Sequence, residues 1–295
     1  MDSSADPRRA YANQNRHAAR AGGQSPLALE LGLRLLDHLE GLRIDPARIL
    51  VLGGGAGLLR APLAEQFPRA ALIYADPVPA QLARMPRASR LQRWLGATQE
   101  PLRLACRPTA LPLRNGSIDL LIALGMLGWE APDPVFAEAR RVLSADGLLL
   151  FNALGPDTLK EWRAALAHAR PGIDPLGTSL AHLPDMHDIA DAAAHAGLAS
   201  PVVDMEQLTV HYPDLRLLLA DLRCEGGGNA LLARPRGLMT PRQHARLLAS
   251  VEAGRTSQGL PVTLEAIYGH AWNTRPLVDN AGRPVIPIRA APPRA

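Results

Sequence analysis

Lysine is nearly missing from this sequence. Lys160 stands alone among 32 basic residues, so arginine supplies almost all of the positive charge behind a formal +4 and an isoelectric point near 9.6. Aromatic residues make up only 4% of the chain, and without stacking side chains or lysine-rich patches that basic balance does not describe a nucleic-acid binder. The two cysteines, Cys106 and Cys224, stand in no C-x-x-C or Cys/His spacing, which excludes a disulfide framework and a zinc knuckle and suits a reducing compartment. Long apolar runs are missing too, since the longest uncharged one, Leu120 to Trp129, is too short to cross a bilayer. No charged-then-apolar signal opens the chain, so a cytoplasmic location is expected, with neither nucleic acid nor membrane as partner.

What the sequence does have is apolar material arranged around one stretch. With 295 residues, 47% of them hydrophobic and 20% charged, it can bury a sizeable core as one large domain. The stretch Ile49-Leu50-Val51-Leu52 runs without polar alternation into Gly53-Gly54-Gly55-Ala56-Gly57. Such a run reads as a strand buried on both faces, ending in a tight loop where glycine lets the backbone approach a ligand. The dinucleotide fingerprint G-x-G-x-x-G fails because its third glycine would fall at Leu58, leaving G-x-G-x-G. A second apolar run, Ala71 to Ala75, closes on Asp76, at the place where one carboxylate can accept two hydrogen bonds from a ribose diol.

In chain order, residues 1–24 are polar with no sustained period and read as a mobile arm. Ser25-Pro26 opens a helix with Leu27, Leu31, Leu35 and Leu39 at i+4 spacing, and Pro62 belongs in the first turn of a helix after the glycine loop. Further strands are expected at Leu102 to Cys106, Ser117 to Leu124, Leu148 to Phe151, Val202 to Tyr212 and Val262 to Trp272. Alternation of strand and helix implies an α/β fold with a mostly parallel sheet and helices on both faces. The main domain spans 25–272, with a helical insertion over about 213–256 (Leu215 to Cys224 and Pro241 to Ala253), and residues 273–295 read as a disordered tail. In such sheets the loops at the carboxyl ends of the strands share one crevice, here Gly53 to Gly57, Asp76 to Val78, Gly125 to Trp129 and Asn152 to Pro156.

Two surface features are set against plainer readings. Seven arginines between Arg84 and Arg114 face a single acid, Glu100; a solvated face is the plain reading and a docking patch for an acidic partner the sharper one. His187, Asp188 and Asp191 fall within one helical turn near His182 and His195, but Asp185 reads as the cap of an amphipathic helix and no metal site is expected.

The glycine loop and Asp76 resemble those of class I S-adenosylmethionine-dependent methyltransferases. Leu127-Gly128-Trp129-Glu130, Leu143 to Phe151, Gly155 to Glu161, Asp185 to Ile189, Pro201 to Glu206 and Tyr268-Gly269-His270-Ala271-Trp272 are similar to the malonyl-acyl-carrier-protein O-methyltransferases of biotin synthesis, over roughly residues 45 to 272. The resemblance implies a Rossmann-like seven-stranded fold, S-adenosylmethionine as cofactor, and O-methylation of a carboxylate on an acyl carrier protein or a small carboxylic acid. It implies cofactor contacts at Gly53, Gly54, Gly55, Gly57, Asp76, Pro77, Arg107 and Leu124, and an acceptor side at Met126, Trp129 and Asn152. A carboxylate is already ionised at pH 7, so no catalytic base is expected; the work falls on orientation and exclusion of water.

Three places depart from the family pattern. Val51 stands where it has an acid, Arg107 where it has an aspartate for the adenine amino group, and Tyr11-Ala12 and Ala18-Ala19 where it has Phe-Asp and Tyr-Asp pairs. Each lost hydrogen bond to a charged or buried partner is worth about 1.5–3 kcal/mol. If the site is merely eroded, Val51→Asp and Arg107→Asp together tighten cofactor binding by roughly tenfold or more. Two other readings stay open: a fold kept as a non-catalytic binding or assembly protein, and a hydroxylase-like relative of a mitochondrial complex I assembly factor.

Overall fold

The computed structural model describes residues 6–18, 26–87, 100–171, 183–224, 230 and 237–274. Its centre is β1 (Arg48–Leu52), whose apolar run is buried on both faces. Ile49 and Val51 enter one core with Tyr74 and Leu35, while Leu50 and Leu52 enter a second core with Phe136 and Phe151. Period-two alternation of side chains thus splits one uniformly apolar strand between two helical layers.

Six further strands extend from it: β2 (Ala71–Asp76), β3 (Leu102–Ala105), β4 (Ile118–Ala123), β5 (Leu143–Leu154), β6 (Ala199–Tyr212) and β7 (Leu260–Trp272). Their order in the sheet is β3-β2-β1-β4-β5-β7-β6. The first five are parallel, and β7 runs antiparallel between β5 and β6. The order reverses between β1 and β4, so the loops leaving those two strands part and open a crevice at their carboxyl ends. This is the α/β seven-stranded sheet expected from the sequence. Strand β5 begins earlier than the run Leu148 to Phe151 predicts: Leu143 pairs with Ile118 before a register shift, and Asp146, at φ 61°, bends the strand without ending it.

The helices are α1 (Pro7–Ala18), α2 (Pro26–Asp37), α3 (Arg60–Gln66), α4 (Pro79–Arg84), α5 (Pro132–Val142), α6 (Lys160–Ala169), α7 (Met186–His195), α8 (Leu215–Cys224) and α9 (Pro241–Ala253). Pro62 is tolerated in α3 because it stands in the first turn, where its missing N–H has no intrahelical acceptor. Asp185 caps α7 by accepting the His187 N–H, and Thr240 with Gln243 forms a reciprocal capping box on α9. The two inserted helices keep the limits read from the sequence; α8 packs on β7 beside Tyr212, and α9 packs on α6.

The N-terminal segment differs from its reading as a mobile arm. Residues 7–18 form a helix with Ala10, Tyr11, Asn13 and Ala18 buried, and Asn15 Oδ1 accepts the Ala80 N–H at the start of α4. Its inward residues are small or polar, so no apolar stripe advertises it in the sequence. Residues 19–24, Arg90, Arg93, His182, the Gly226 to Asn229 run and the tail beyond Thr274 lie outside the described residues. No helix among the described residues is long and apolar enough to cross a membrane.

Candidate active site

The crevice at the β1/β4 switch holds a cavity of about 190 Å³. Gly53 and Gly55 form its floor; Asp76, Leu124, Met126, Trp129 and Asn152 line its walls, and Gln14 of α1 and Gln81 of α4 close over it. Seven of the eleven residues expected at the site therefore meet in one place. Gly54, Gly57, Pro77 and Arg107 do not line it.

The glycine loop explains the difference between neighbours. Gly53 has φ +81°, and a Cβ there would run into the Leu124 carbonyl oxygen and lie 2.6 Å from Met126 Cε. Loop and β4 are therefore in contact, and only hydrogen fits between them. Gly54 faces away from the cavity, where a Cβ would meet Val51 Cγ1 at 2.5 Å and the Tyr74 ring at 3.0 Å. Gly57 adopts φ +87° to turn the chain toward α3, with Met85 close by. Their glycines serve packing and the turn.

Asp76 ends β2 with its side chain 4% exposed. Its Oδ2 accepts the Gly55 N–H at 3.1 Å and its Oδ1 the Val78 N–H at 2.7 Å. Burial pushes its pKa up to about 6, against the pull of those two N–H groups. The carboxylate retains lone pairs facing the cavity, so hydroxyl donors from a ligand would complete its shell. Because the folded pKa lies above the ordinary aspartate value of 3.8, the ionised form burdens the native state at neutral pH, and stability from this group returns as pH falls through about 6 to 4. The unfolding free energy of wild type relative to Asp76→Asn should therefore rise by roughly 2 kcal/mol between pH 7 and pH 4, as read from urea titrations. A difference that does not move with pH refutes the assignment.

Arg107 has a different task from the one expected of it. Its Nε and Nη2 grip Glu130, with Nη2 2.9 Å from Oε2, and the Tyr11 hydroxyl donates to Glu130 Oε1 at 3.1 Å. Burial first, then the Glu130 charge, drive the Tyr11 pKa far above its usual value, which fixes that hydroxyl as a donor. Glu130 is 5% exposed and Arg107 half exposed, so the pair is a bidentate clamp that, through Tyr11, also fastens α1. Removing the guanidinium leaves Glu130 buried with one hydroxyl donor. Arg107→Ala should cost about 2 kcal/mol in urea unfolding, short of a fully buried pair because Arg107 is screened by solvent.

Val51 is fully buried among Leu31, Leu35 and Tyr74. An aspartate there would lie in apolar core, and an aspartate at 107 would face the buried Glu130 carboxylate. The pair of restoring substitutions is therefore corrected: Val51→Asp with Arg107→Asp should destabilise the fold and weaken cofactor binding. Position 51 serves core packing and position 107 a charge pair.

Asn152, from β5, is 6% exposed, and its Oδ1 accepts the Gly125 N–H at 2.8 Å, pinning the loop after β4. Opposite it, Thr158 exchanges hydrogen bonds with the backbone of Glu265, holding the loop after β5 against β7. Leu159, Leu183, Leu222 and Leu264 also line the cavity beside Leu154 of the expected Asn152 to Pro156 loop, and sequence reasoning missed those four. Leucines on separate elements carry no spacing signal that separates a cavity wall from ordinary core.

No group of three or more metal-ligating side chains occurs among the described residues. Asp185 caps α7 and also contacts His187 Nδ1, while Ile189, Ala192 and Ala193 turn inward.

The family model for the methyltransferase domain matches residues 50–151, from within β1 to within β5. Malonyl-acyl-carrier-protein O-methyltransferase from Gallionella capsiferriformans is 39% identical over 262 residues, covering 88% of each chain. The protein of the same name from Laribacter hongkongensis is 37% identical, covering 90% of this chain and 89% of its own. Among solved structures, the YcgJ protein from Bacillus subtilis superposes with a TM-score of 0.54 at 15% identity, over 83% of this chain and 98% of that one. At that identity the superposition speaks for the fold alone.

Proposed function

This chain belongs to the family of malonyl-acyl-carrier-protein O-methyltransferases, and from that membership we propose that it methylates the free carboxylate of a malonyl group presented by an acyl carrier protein. S-adenosylmethionine is its cofactor. The residues present suit that group: Gly53 leaves a cradle that a Cβ would fill, and Asp76 offers a buried carboxylate with free lone pairs beside it. Gly53, Gly55, Asp76 and Leu124 would hold the cofactor, and Met126, Trp129 and Asn152 would meet the acceptor. When bound, S-adenosylmethionine supplies an electrophilic methyl group on a positively charged sulfur. The chain itself orients the acceptor carboxylate, which is already ionised, and excludes water with its leucine-rich wall. The observation that carries the reading is this meeting of Asp76 and the glycine floor with an apolar acceptor wall in one cavity.

The carrier is an acidic partner. Of Arg84, Arg87, Arg103 and Arg107, Arg103 donates to the Leu82, Met85 and Pro86 carbonyls and Arg107 is held by Glu130. Those two arginines are structural first, which leaves Arg87 and its neighbours as the docking candidates. Calorimetric titration with the malonyl carrier in the presence of S-adenosylhomocysteine should give an affinity that falls steeply with salt, as the Debye length shrinks from about 10 Å at 0.1 M to about 3 Å at 1 M. Reversing Arg87, Arg90 and Arg93 to Glu should abolish it and leave S-adenosylhomocysteine affinity unchanged. Carrier affinity indifferent to both changes would point to a free small acid as the acceptor. The reducing setting implied by the scarcity of cysteine supports a cytoplasmic reaction.

A further inference from the structure

We propose that the Asn152 side-chain amide is the donor that holds the acceptor carboxylate, an inference that rests on the methyltransferase reading above. Asn152 is 6% exposed, lines the cavity, and sits on β5, opposite Tyr268 of β7. Its Oδ1 accepts the Gly125 N–H at 2.8 Å. A backbone N–H can be answered only by the oxygen end of an amide, so this contact fixes which end of Asn152 is which. The NH2 end has no partner among the described residues, and its nitrogen is not sealed in the core but open to the cavity that Asn152 lines. A donor held in one orientation and open to a cavity can be matched by a ligand acceptor at little further ordering cost.

The surroundings name the ligand's chemistry. No lysine or arginine is among the described residues lining the cavity, and Thr158, a hydroxyl on that wall, is engaged with the Glu265 backbone. A neutral donor can orient a carboxylate while leaving its charge on the attacking oxygen. A guanidinium would stabilise that charge in the ground state and hold it back. The Asn152 amide, oriented by the Gly125 N–H on a wall that Gln14 and Gln81 also line, therefore selects an acyl chain ending in a carboxylate, and it does so by position.

The test uses the full chain, S-adenosylhomocysteine at saturation and the malonyl carrier as titrant. Asn152→Asp keeps an oxygen for the Gly125 N–H but turns the donor into a like charge facing the acceptor. Affinity for the malonyl carrier should fall at least 30-fold at pH 7.5 and recover several-fold toward pH 5.5, while S-adenosylhomocysteine affinity stays within twofold. Asn152→Ala should lose about tenfold for the malonyl carrier and nothing for a carrier bearing the malonyl methyl ester; it decides the matter if the aspartate variant does not fold. Wild-type affinity for the malonyl carrier in either folded variant, or a parallel loss of S-adenosylhomocysteine, overturns the inference and leaves Asn152 as a loop pin. Wild-type protein that binds S-adenosylhomocysteine but neither binds nor methylates the malonyl carrier overturns the acceptor reading itself.

Discussion

Asp76→Ala should abolish the binding of S-adenosylhomocysteine, raising its Kd by at least 100-fold in calorimetric titration. The carboxylate sits at the end of β2, 4% exposed, with one oxygen on the Gly55 N–H and the other on the Val78 N–H. Alanine removes the acceptor for the ligand's hydroxyls and also the clasp that holds the glycine loop to β2. Two charge-assisted hydrogen bonds at about 1.5–3 kcal/mol each correspond to two orders of magnitude or more. The fold should survive, because burying the ionised carboxylate is itself a burden at neutral pH, as its raised pKa of about 6 records. The same titration gives wild-type affinity a pH dependence: a ligand that donates to the ionised form binds less well as pH falls below about 6. An alanine variant that stays folded and binds as wild type does would remove Asp76 from the site.

Gly53→Ala is the second large effect. It should abolish cofactor binding and cost about 3 kcal/mol of stability or more, read from urea unfolding. Two causes add at this position, a φ of +81° that an L side chain adopts under strain and a Cβ driven into the Leu124 carbonyl. Gly41 separates them, since it has the same φ of +81° with nothing within 4 Å of where a Cβ would stand. Gly41→Ala should cost only about 1 kcal/mol and leave the cofactor untouched. Equal costs at the two positions would mean that close approach between loop and β4 contributes nothing.

Much of this was legible in the sequence, and the reasons are specific. The run Ile49 to Leu52 has no polar alternation because both its faces are covered, so the central strand and the glycine loop after it announce themselves. Asp76 is legible because an acid that closes an apolar run stands out against it, where its carboxylate can serve both the loop N–H groups and a ligand. Helix α1 was not legible, since it docks through Tyr11, Asn13 and alanines and by capping α4 through Asn15. The Arg107–Glu130 pair escaped for another reason: its members stand 23 positions apart on different loops, and no local period links them. Taken alone, Arg107 looks like damage to an adenine contact. Paired with Glu130 and Tyr11 it is a structural clamp that holds α1 against the sheet's loops. The leucines of the cavity wall stay illegible in principle, because only the packing of α6, α8 and β7 decides which of them face the void.

The central claim, that this cavity methylates a carrier-bound carboxylate, is tested most directly by mass spectrometry of the malonyl carrier after incubation with the protein and S-adenosylmethionine. One methyl ester should appear on the malonyl carrier in step with S-adenosylhomocysteine formation, none on an acetyl carrier, and none with Asp76→Ala. S-adenosylhomocysteine formed with no methyl on the malonyl carrier, or no turnover by a wild-type protein that binds the cofactor, would contradict it.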